Sequence, residues 1–86
     1  MTVTLRLFAA AREAAGRGHD EYDHSRAPTV GALLEAATAA YGPVFARVAA
    51  SSRVWLNGDE PSDGPETVLV DGDEVAVLPP VSGGIA

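Results

Sequence analysis

Two strand-like segments lie at opposite ends of this chain, and together they leave few folds open to it. Residues 2–8 alternate strictly, with Val3, Leu5 and Leu7 on one face, and a period of two is typical of a half-buried strand. Residues 74–78 form a second strand-like run, which is also apolar. Because the first and last strands are both long and apolar, we expect them to pair at the centre of a mixed sheet.

One main helix is predicted between these strands. Thr29 is a suitable N-cap, and apolar residues recur behind it at three- and four-residue spacing as far as Tyr41, before Gly42-Pro43 ends the pattern. The shorter predicted elements are a helical turn at 9–15, a weak strand near 21–24, a helix at 44–50, a strand at 53–56 before an Asn57-Gly58 turn, and a short strand at 66–70.

This order of elements predicts an α+β roll of the ubiquitin-like β-grasp type. The sheet should be mixed, with about four to five strands, and the main helix should pack across one face. Eighty-six residues suffice for one small domain with a modest core. We assign residues 1–80 to that domain and residues 81–86 to a flexible C-terminal tail.

The composition excludes several classes of protein. The net charge of −6 disfavours nucleic-acid binding and favours partners with basic grooves. No apolar run approaches 18 residues, so no membrane span is expected. The first residues lack the basic and apolar regions of a signal peptide, and a cytoplasmic location is therefore the default.

The chain contains neither cysteine nor lysine. No disulfide, zinc-thiolate site or thiol nucleophile can form, and any sulfur that the protein handles must sit elsewhere than on a side-chain thiol. The acidic segment with His19 and His24 is not expected to bind metal, because on a strand these two residues would point to opposite faces. A solvated loop is the preferred interpretation of that segment, and Trp55 is expected to be half-buried in the sheet.

The C-terminal segment has the composition of an arm that reaches into other proteins. Pro79 and Pro80 favour an extended path, and Gly83 and Gly84 have no Cβ, which suits a narrow channel. From Val81 to Gly84 the reach is roughly 13 Å. The shape suggests a carrier that works through a terminal carboxyl group, and the segment predicted to thread partner active sites is Pro79, Pro80, Val81, Ser82 and Gly83.

Four segments resemble a known protein family. They are residues 7–16, 29–34, 56–58 and 71–84, in the expected order, and the most specific is the block from Asp71-Gly72-Asp73 to Gly83-Gly84. On these segments the chain resembles the sulfur carriers of the MoaD/ThiS type, most closely the small subunits of molybdopterin synthase.

The resemblance implies a mechanism centred on Gly84. A ubiquitin-activating-type adenylyltransferase would use ATP and Mg to adenylate the Gly84 carboxylate, and a persulfide donor would convert the product to a thiocarboxylate. The synthase large subunit would then accept the sulfur for molybdopterin. The carrier itself would bind no cofactor and have no catalytic residues. By position, Phe8, on the strand face opposite Leu5 and Leu7, and Leu78, just before the prolines, would be exposed apolar anchors that dock the synthase subunit.

Ile85 and Ala86 depart from the family pattern, because they place an amide where Gly84 needs a free carboxylate. Removal by a tail-processing peptidase is the preferred explanation, and an artefact at these two residues is the alternative. Other functions also stay open. They are sulfur carriage for cysteine, thiamin or secondary-metabolite synthesis, conjugation to lysines of other proteins through Gly84, and a regulatory or structural domain whose tail never reacts.

Overall fold

A four-stranded mixed sheet carries three α-helices on one face in the computed structural model, which describes residues 1–80. This confirms the predicted α+β, ubiquitin-like β-grasp architecture, with four strands rather than five. The elements in chain order are β1 (Thr2–Leu7), α1 (Ala9–Ala15), β2 (His19–Asp23), α2 (Val30–Tyr41), α3 (Pro43–Ala50), β3 (Arg53–Leu56), a 3₁₀ turn (Gly64–Glu66) and β4 (Glu74–Leu78).

The two terminal strands pair at the centre of the sheet, as their apolar character predicted. The strand order is β2-β1-β4-β3, and β1 runs parallel to β4 with Leu5 opposite Val75. The outer strands are antiparallel to their neighbours, β2 to β1 and β3 to β4. The parallel pairing brings the C-terminal ends of β1 and β4 together, so the start of α1 lies beside the base of the tail.

The core lies between the sheet and the helices. Val3, Leu5 and Leu7 of β1 and Val75 and Val77 of β4 are buried. Burial of each large apolar side chain contributes about 1.5–3 kcal/mol relative to exposure. The helices and the loop before β4 complete the core with Ala11, Val30, Leu33, Ala37, Phe45 and Leu69.

The helix boundaries follow the signals predicted from the sequence. Thr29 caps α2, because its Oγ1 accepts a hydrogen bond from the N–H of Ala32 at 3.1 Å. Gly16 ends α1 at φ 79°, a left-handed conformation that suits glycine, and its N–H donates to the carbonyl of Arg12 at 2.9 Å.

The strand predicted at 66–70 was wrong. After the 3₁₀ turn, this segment makes a single bridge between Val68 and Thr29 and joins no sheet. Its backbone instead pairs with the entry to α2, where the N–H of Leu69 donates to Pro28 and that of Val30 donates to Thr67. Leu69 is buried, whereas Val68 is 68% exposed. One buried side chain anchors the segment, and the neighbouring valines produced a false strand signal.

The weak strand predicted near 21–24 is confirmed, and it begins earlier, at His19, in a segment whose preferred interpretation was a solvated loop. Residues His19–Asp23 form β2, an edge strand whose Tyr22 lies opposite Val3 and contributes to the core. The low hydrophobicity of this segment reflects its edge position, because only one of its five side chains is buried.

Candidate docking face

The face of the sheet opposite the helices is the first candidate surface for a partner. Directly paired residues point to the same side of a sheet, and alternate residues point to opposite sides. Because Val3, Leu5, Val75 and Val77 face the helices, the residues between them face away. We call this side the open face; its central row is Arg6 on β1, Ala76 on β4 and Trp55 on β3.

Phe8 lies at the end of this face, next to the base of the tail. It is the N-cap of α1 and not a residue of β1, but its backbone is extended (φ −126°, ψ 153°). Its N–H donates to the carbonyl of Val77 at 3.3 Å, which ties the start of α1 to β4. The side chain is 40% exposed, and the guanidinium carbon of Arg6 lies 6.0 Å from the centre of its ring. The predicted exposure of Phe8 is confirmed.

The backbone next to Phe8 has an unusual conformation. Ala9 has φ 51°, in the left-handed region that L-residues other than glycine rarely adopt. Such residues persist where the surrounding structure holds them, and they cluster at functional sites. Ala9 is the first residue of α1, directly after the exposed N-cap residue Phe8.

Leu78 and the two prolines form the other half of this end of the face. Leu78, also predicted to be exposed, is instead half-buried, where it pairs with Arg53 on β3; Pro80 is exposed. Together with Ser51 and Arg53, residues 78–80 line a shallow depression. Leu7 on β1 is paired with Val77 on β4, and Phe8 and Leu78 are the next residues of these two neighbouring segments. The structure therefore brings the two predicted docking residues to the same end of the sheet.

The other predicted site residues lie outside the described residues. They are Val81, Ser82, Gly83 and Gly84 of the tail and the extension Ile85-Ala86. Their predicted roles stay predictions.

Asn57 and Asp73 form a contact that the sequence did not predict. The Asn57 amide nitrogen donates to Asp73 Oδ1, and its oxygen accepts from the N–H of Glu74, both at 2.9 Å. Asp73 Oδ2 also accepts from the N–H of Val70 at 2.8 Å. These bonds fix the turn that starts β4, at the end of the sheet away from the tail. The Leu56-Asn57-Gly58 and Asp71-Gly72-Asp73 segments therefore have a structural role.

Asp20 is an acidic residue whose ionisation is shaped by contacts with α2 and with its own strand. Its Oδ2 accepts from the Tyr41 hydroxyl at 2.5 Å and lies 3.4 Å from Arg17 Nη1. Burial alone would raise the pKa of Asp20, but the bonds from Tyr41 and the Glu21 N–H, with the charge of Arg17, outweigh it and lower the pKa. Burial, followed by the bond to Asp20, raises the pKa of Tyr41. This pair fastens the edge strand β2 to the end of α2.

Asp23, at the end of β2, and His24, which follows it, make contacts within the fold. His24 Nε2 lies 2.5 Å from the carbonyl oxygen of Leu69, and Asp23 Oδ1 accepts from the N–H of Ser25 at 3.0 Å. That hydrogen bond lowers the pKa of Asp23. Within residues 1–80, no three histidine or carboxylate side chains lie close enough together to hold a metal ion. None of the helices in this range is long and apolar enough to cross a membrane.

Comparison with known proteins places the chain in a family. The sequence pattern of the ThiS family matches residues 5–84. The chain belongs to the ThiS family. Among its relatives, this ThiS-family chain is 36% identical to small archaeal modifier protein 3 of Haloferax volcanii and 32% identical to the molybdopterin synthase sulfur carrier subunit of Chlamydomonas reinhardtii. Each comparison covers 98% of this chain and all of the relative.

Solved structures agree with this assignment. The crystal structure of small archaeal modifier protein 1 from Haloferax volcanii matches with a TM-score of 0.81 and 32% identity, over 98% of this chain and all of the other. A complex of subunits 1 and 2 of the molybdopterin-converting factor from Helicobacter pylori contains a chain that matches with a TM-score of 0.68 and 25% identity, over 98% of this chain and all of the other. The ThiS-family chain is thus similar to small sulfur carriers and ubiquitin-like modifiers.

Proposed function

We propose that this protein is a sulfur carrier that works through Gly84, with molybdopterin as the leading destination of the sulfur. The observation that carries the proposal is the full-length similarity to a molybdopterin synthase sulfur carrier subunit. The geometry supports it, because β4 leads through Pro79 and Pro80 into the tail beside the exposed Phe8. A partner that docks at this end of the open face would receive the tail directly.

In the proposed mechanism the chain acts as a co-substrate. The Gly84 carboxylate, freed by removal of Ile85-Ala86, attacks the α-phosphorus of ATP in the activating enzyme and releases pyrophosphate. The outer sulfur of a persulfide donor then displaces AMP from the acyl carbon, which gives an acyl disulfide. A thiol cleaves this disulfide and forms a new disulfide with the donor sulfur, and the Gly84 thiocarboxylate that is released gives its sulfur to the small-molecule acceptor. ATP and Mg belong to the activating partner. The absence of cysteine agrees with this chemistry, since the sulfur is held on the terminal acyl group. We place these reactions in the cytoplasm.

Phe8 and Leu78 are the proposed anchors for the synthase large subunit. In the Helicobacter pylori structure, subunits 1 and 2 of the converting factor form a protein–protein complex. The exposed aromatic ring of Phe8 offers the kind of apolar contact that dominates binding energy at interfaces. Arg6, which lies over the ring and pairs with Glu74 at 3.2 Å, would orient it for docking.

The test uses two forms of the protein, the chain ending at Gly84 and the full chain ending at Ala86. Each is incubated with an activating enzyme, ATP, Mg, a persulfide donor and a thiol reductant, and intact mass is measured. We expect the trimmed form to exchange one oxygen for one sulfur and then to support molybdopterin formation with a synthase large subunit. The full-length form should remain unchanged. A trimmed chain that never gains sulfur would refute the proposal.

Conjugation to proteins is a second candidate function. Similarity to two small archaeal modifier proteins favours it, since both of those proteins are named as modifiers. In this case Gly84 would be joined by isopeptide bonds to lysines of target proteins. Digestion of cell extracts and mass spectrometry would separate the two functions, because a Gly84-linked lysine marks conjugation and a terminal thiocarboxylate marks sulfur transfer. Both products from one cell would establish both functions.

A further inference from the structure

A groove on the helix side of β3 is a surface that the proposed sulfur chemistry does not use. It has a volume of about 420 Å³ and lies between β3, α2 and the loop that follows β3. Val30 and Leu34 of α2, Val54 of β3, and Pro61 and Pro65 of the loop give it apolar walls. The tail junction and Phe8 lie elsewhere, so an occupant of this groove would leave the open face free.

One wall of this groove is the unpaired edge of the sheet. β3 is an outermost strand, and in an antiparallel pair successive residues turn their N–H and C=O groups alternately toward and away from the partner. The backbone N–H of Asn57 donates to the carbonyl of Glu74, so the backbone groups of Asn57 face β4. Those of Leu56 face outward, where they exchange two backbone hydrogen bonds with Asp59, at 2.7 and 3.0 Å. Val54, two residues before Leu56, therefore also directs its N–H and C=O groups outward, along the groove.

The rim of the groove is acidic. From residue 54 to residue 80 the sequence contains seven carboxylates and no basic residue. Glu60 lines the groove, and Asp63 and Glu66 flank its lining residues in the loop. Arg53 lies 3.8 Å from Glu60 in a mostly exposed and therefore weak ion pair, and it offsets one of these three negative charges. The rim keeps a net negative charge.

We propose that the groove binds an extended segment of a partner protein in which apolar side chains lie between lysine or arginine residues. Such a segment would add to the edge of β3 as a fifth strand, with backbone hydrogen bonds to Val54, apolar side chains in the groove and basic side chains at the rim. A second copy of this chain fits poorly. Each copy carries a net charge of −6, and the two acidic rims would repel each other.

The probe is an acetylated and amidated pentapeptide, lysine-valine-serine-valine-lysine, titrated into the nitrogen-15-labelled protein. We expect saturable shifts of the backbone amide signals of Val54, Leu34 and Gly64, with Arg6 and Ala76 on the open face unaffected. The same peptide with glutamate in place of both lysines should not bind. Binding should also weaken as salt is raised, because the rim charges are exposed.

Charge reversal tests the rim. The double variant Glu60→Lys/Asp63→Lys should bind the pentapeptide roughly tenfold more weakly, as expected for the loss of two exposed ion pairs. The control Glu13→Lys/Glu21→Lys has the same net charge but changes residues on α1 and β2, and it should bind as the unchanged protein does. Thermal melts of both variants verify that they are folded. Equal weakening in the two variants would mean a general charge effect and would overturn the proposal.

Backbone methylation tests the edge. In an antiparallel arrangement the valines exchange hydrogen bonds with Val54, so N-methylation of the valines should abolish binding and N-methylation of the serine should not. In a parallel arrangement N-methylation of the serine should abolish binding instead. A valine would still lie opposite Val54, but the hydrogen bonds to Val54 would come from the two neighbours of that valine. If neither methylation reduces binding, or if the shifts fall on the open face, the edge does not receive the peptide and the proposal is wrong.

Discussion

At the scale of single residues, Ala9 has the conformation that its side chain suits least. Its φ of 51° costs an L-residue about 1–2 kcal/mol relative to glycine. Ala10, its neighbour in α1, is not among the residues with positive φ. The two alanines are therefore a matched pair for measuring the strain stored beside Phe8.

Replacing each of these alanines by glycine should change the unfolding free energy by different amounts. Ala10→Gly should lose about 0.5–1 kcal/mol of unfolding free energy, as in any helix. Ala9→Gly removes the strain at the cost of a more flexible unfolded chain, so it should be more stable than Ala10→Gly by about 1–2 kcal/mol. Urea denaturation of the two variants measures the difference. Equal midpoints would show that Ala9 is not strained.

Asp20 should make the stability depend on acid pH. Its pKa is lowered in the folded state, so its contribution is fully present above the unfolded value, near 3.8, and is lost as the pH falls through the lower folded value. Tyr41→Phe removes the strongest hydrogen-bond donor to Asp20. We expect this variant to be less stable than the unchanged protein at neutral pH, with the difference shrinking below about pH 4. The measurement is urea unfolding across that range, and a constant difference would contradict the assignment.

At the scale of elements, the start of α2 depends on one side chain. Thr29 Oγ1 accepts from the Ala32 N–H, which would otherwise be unpaired at the helix start. Thr29→Ala should lower the unfolding free energy by about 1 kcal/mol, whereas Thr29→Ser keeps the oxygen and should cost much less. Thermal unfolding of the two variants provides the comparison. If serine is as damaging as alanine, the methyl group matters more than the cap.

Elements were predictable from sequence where local signals agreed with burial. The alternation of β1, the cap and glycine stop of α2, and the β3 strand before Asn57 all persist in the fold. The strand prediction for 66–70 was wrong because only Leu69 in this apolar run is buried, through contacts with residues distant in the sequence. The Asn57–Asp73 bonds join residues 16 apart, and no local pattern contains them. For the candidate site, the exposure of Phe8 followed from alternation, and the strain at Ala9 did not.

At the scale of the whole molecule, the first and last strands of the chain form the centre of the sheet. The central pair, β1 and β4, joins the two ends of the described chain and is flanked by a strand on each side. Opening this pair requires most of the sheet to separate, whereas β2 and β3 can detach from the edges. The stability of the fold should therefore be graded from the centre of the sheet outward.

Amide hydrogen exchange should reveal this gradation. The amides of Arg6, Val75 and Val77 lie between the two central strands, so they should exchange only by global unfolding and respond to urea with the slope of the whole molecule. Outward-facing edge amides, such as that of Val54, should exchange faster through local opening. Equal protection of Val54 and Val75 would indicate that the edge of β3 is already covered, for example by association between copies.

The parallel pairing of β1 with β4 also has a practical use. Thr2 lies at the end of the sheet where β4 begins, and its carbonyl accepts a hydrogen bond from the N–H of Gly72. The chain leaves β4 at the opposite end of the sheet. Five strand residues, about 17 Å, separate the two ends. The sequence has no lysine, so amine-reactive coupling of these 86 residues attaches at the α-amino group alone. A sensor surface prepared in this way would hold every molecule in one orientation, with the tail junction and Phe8 facing the solution.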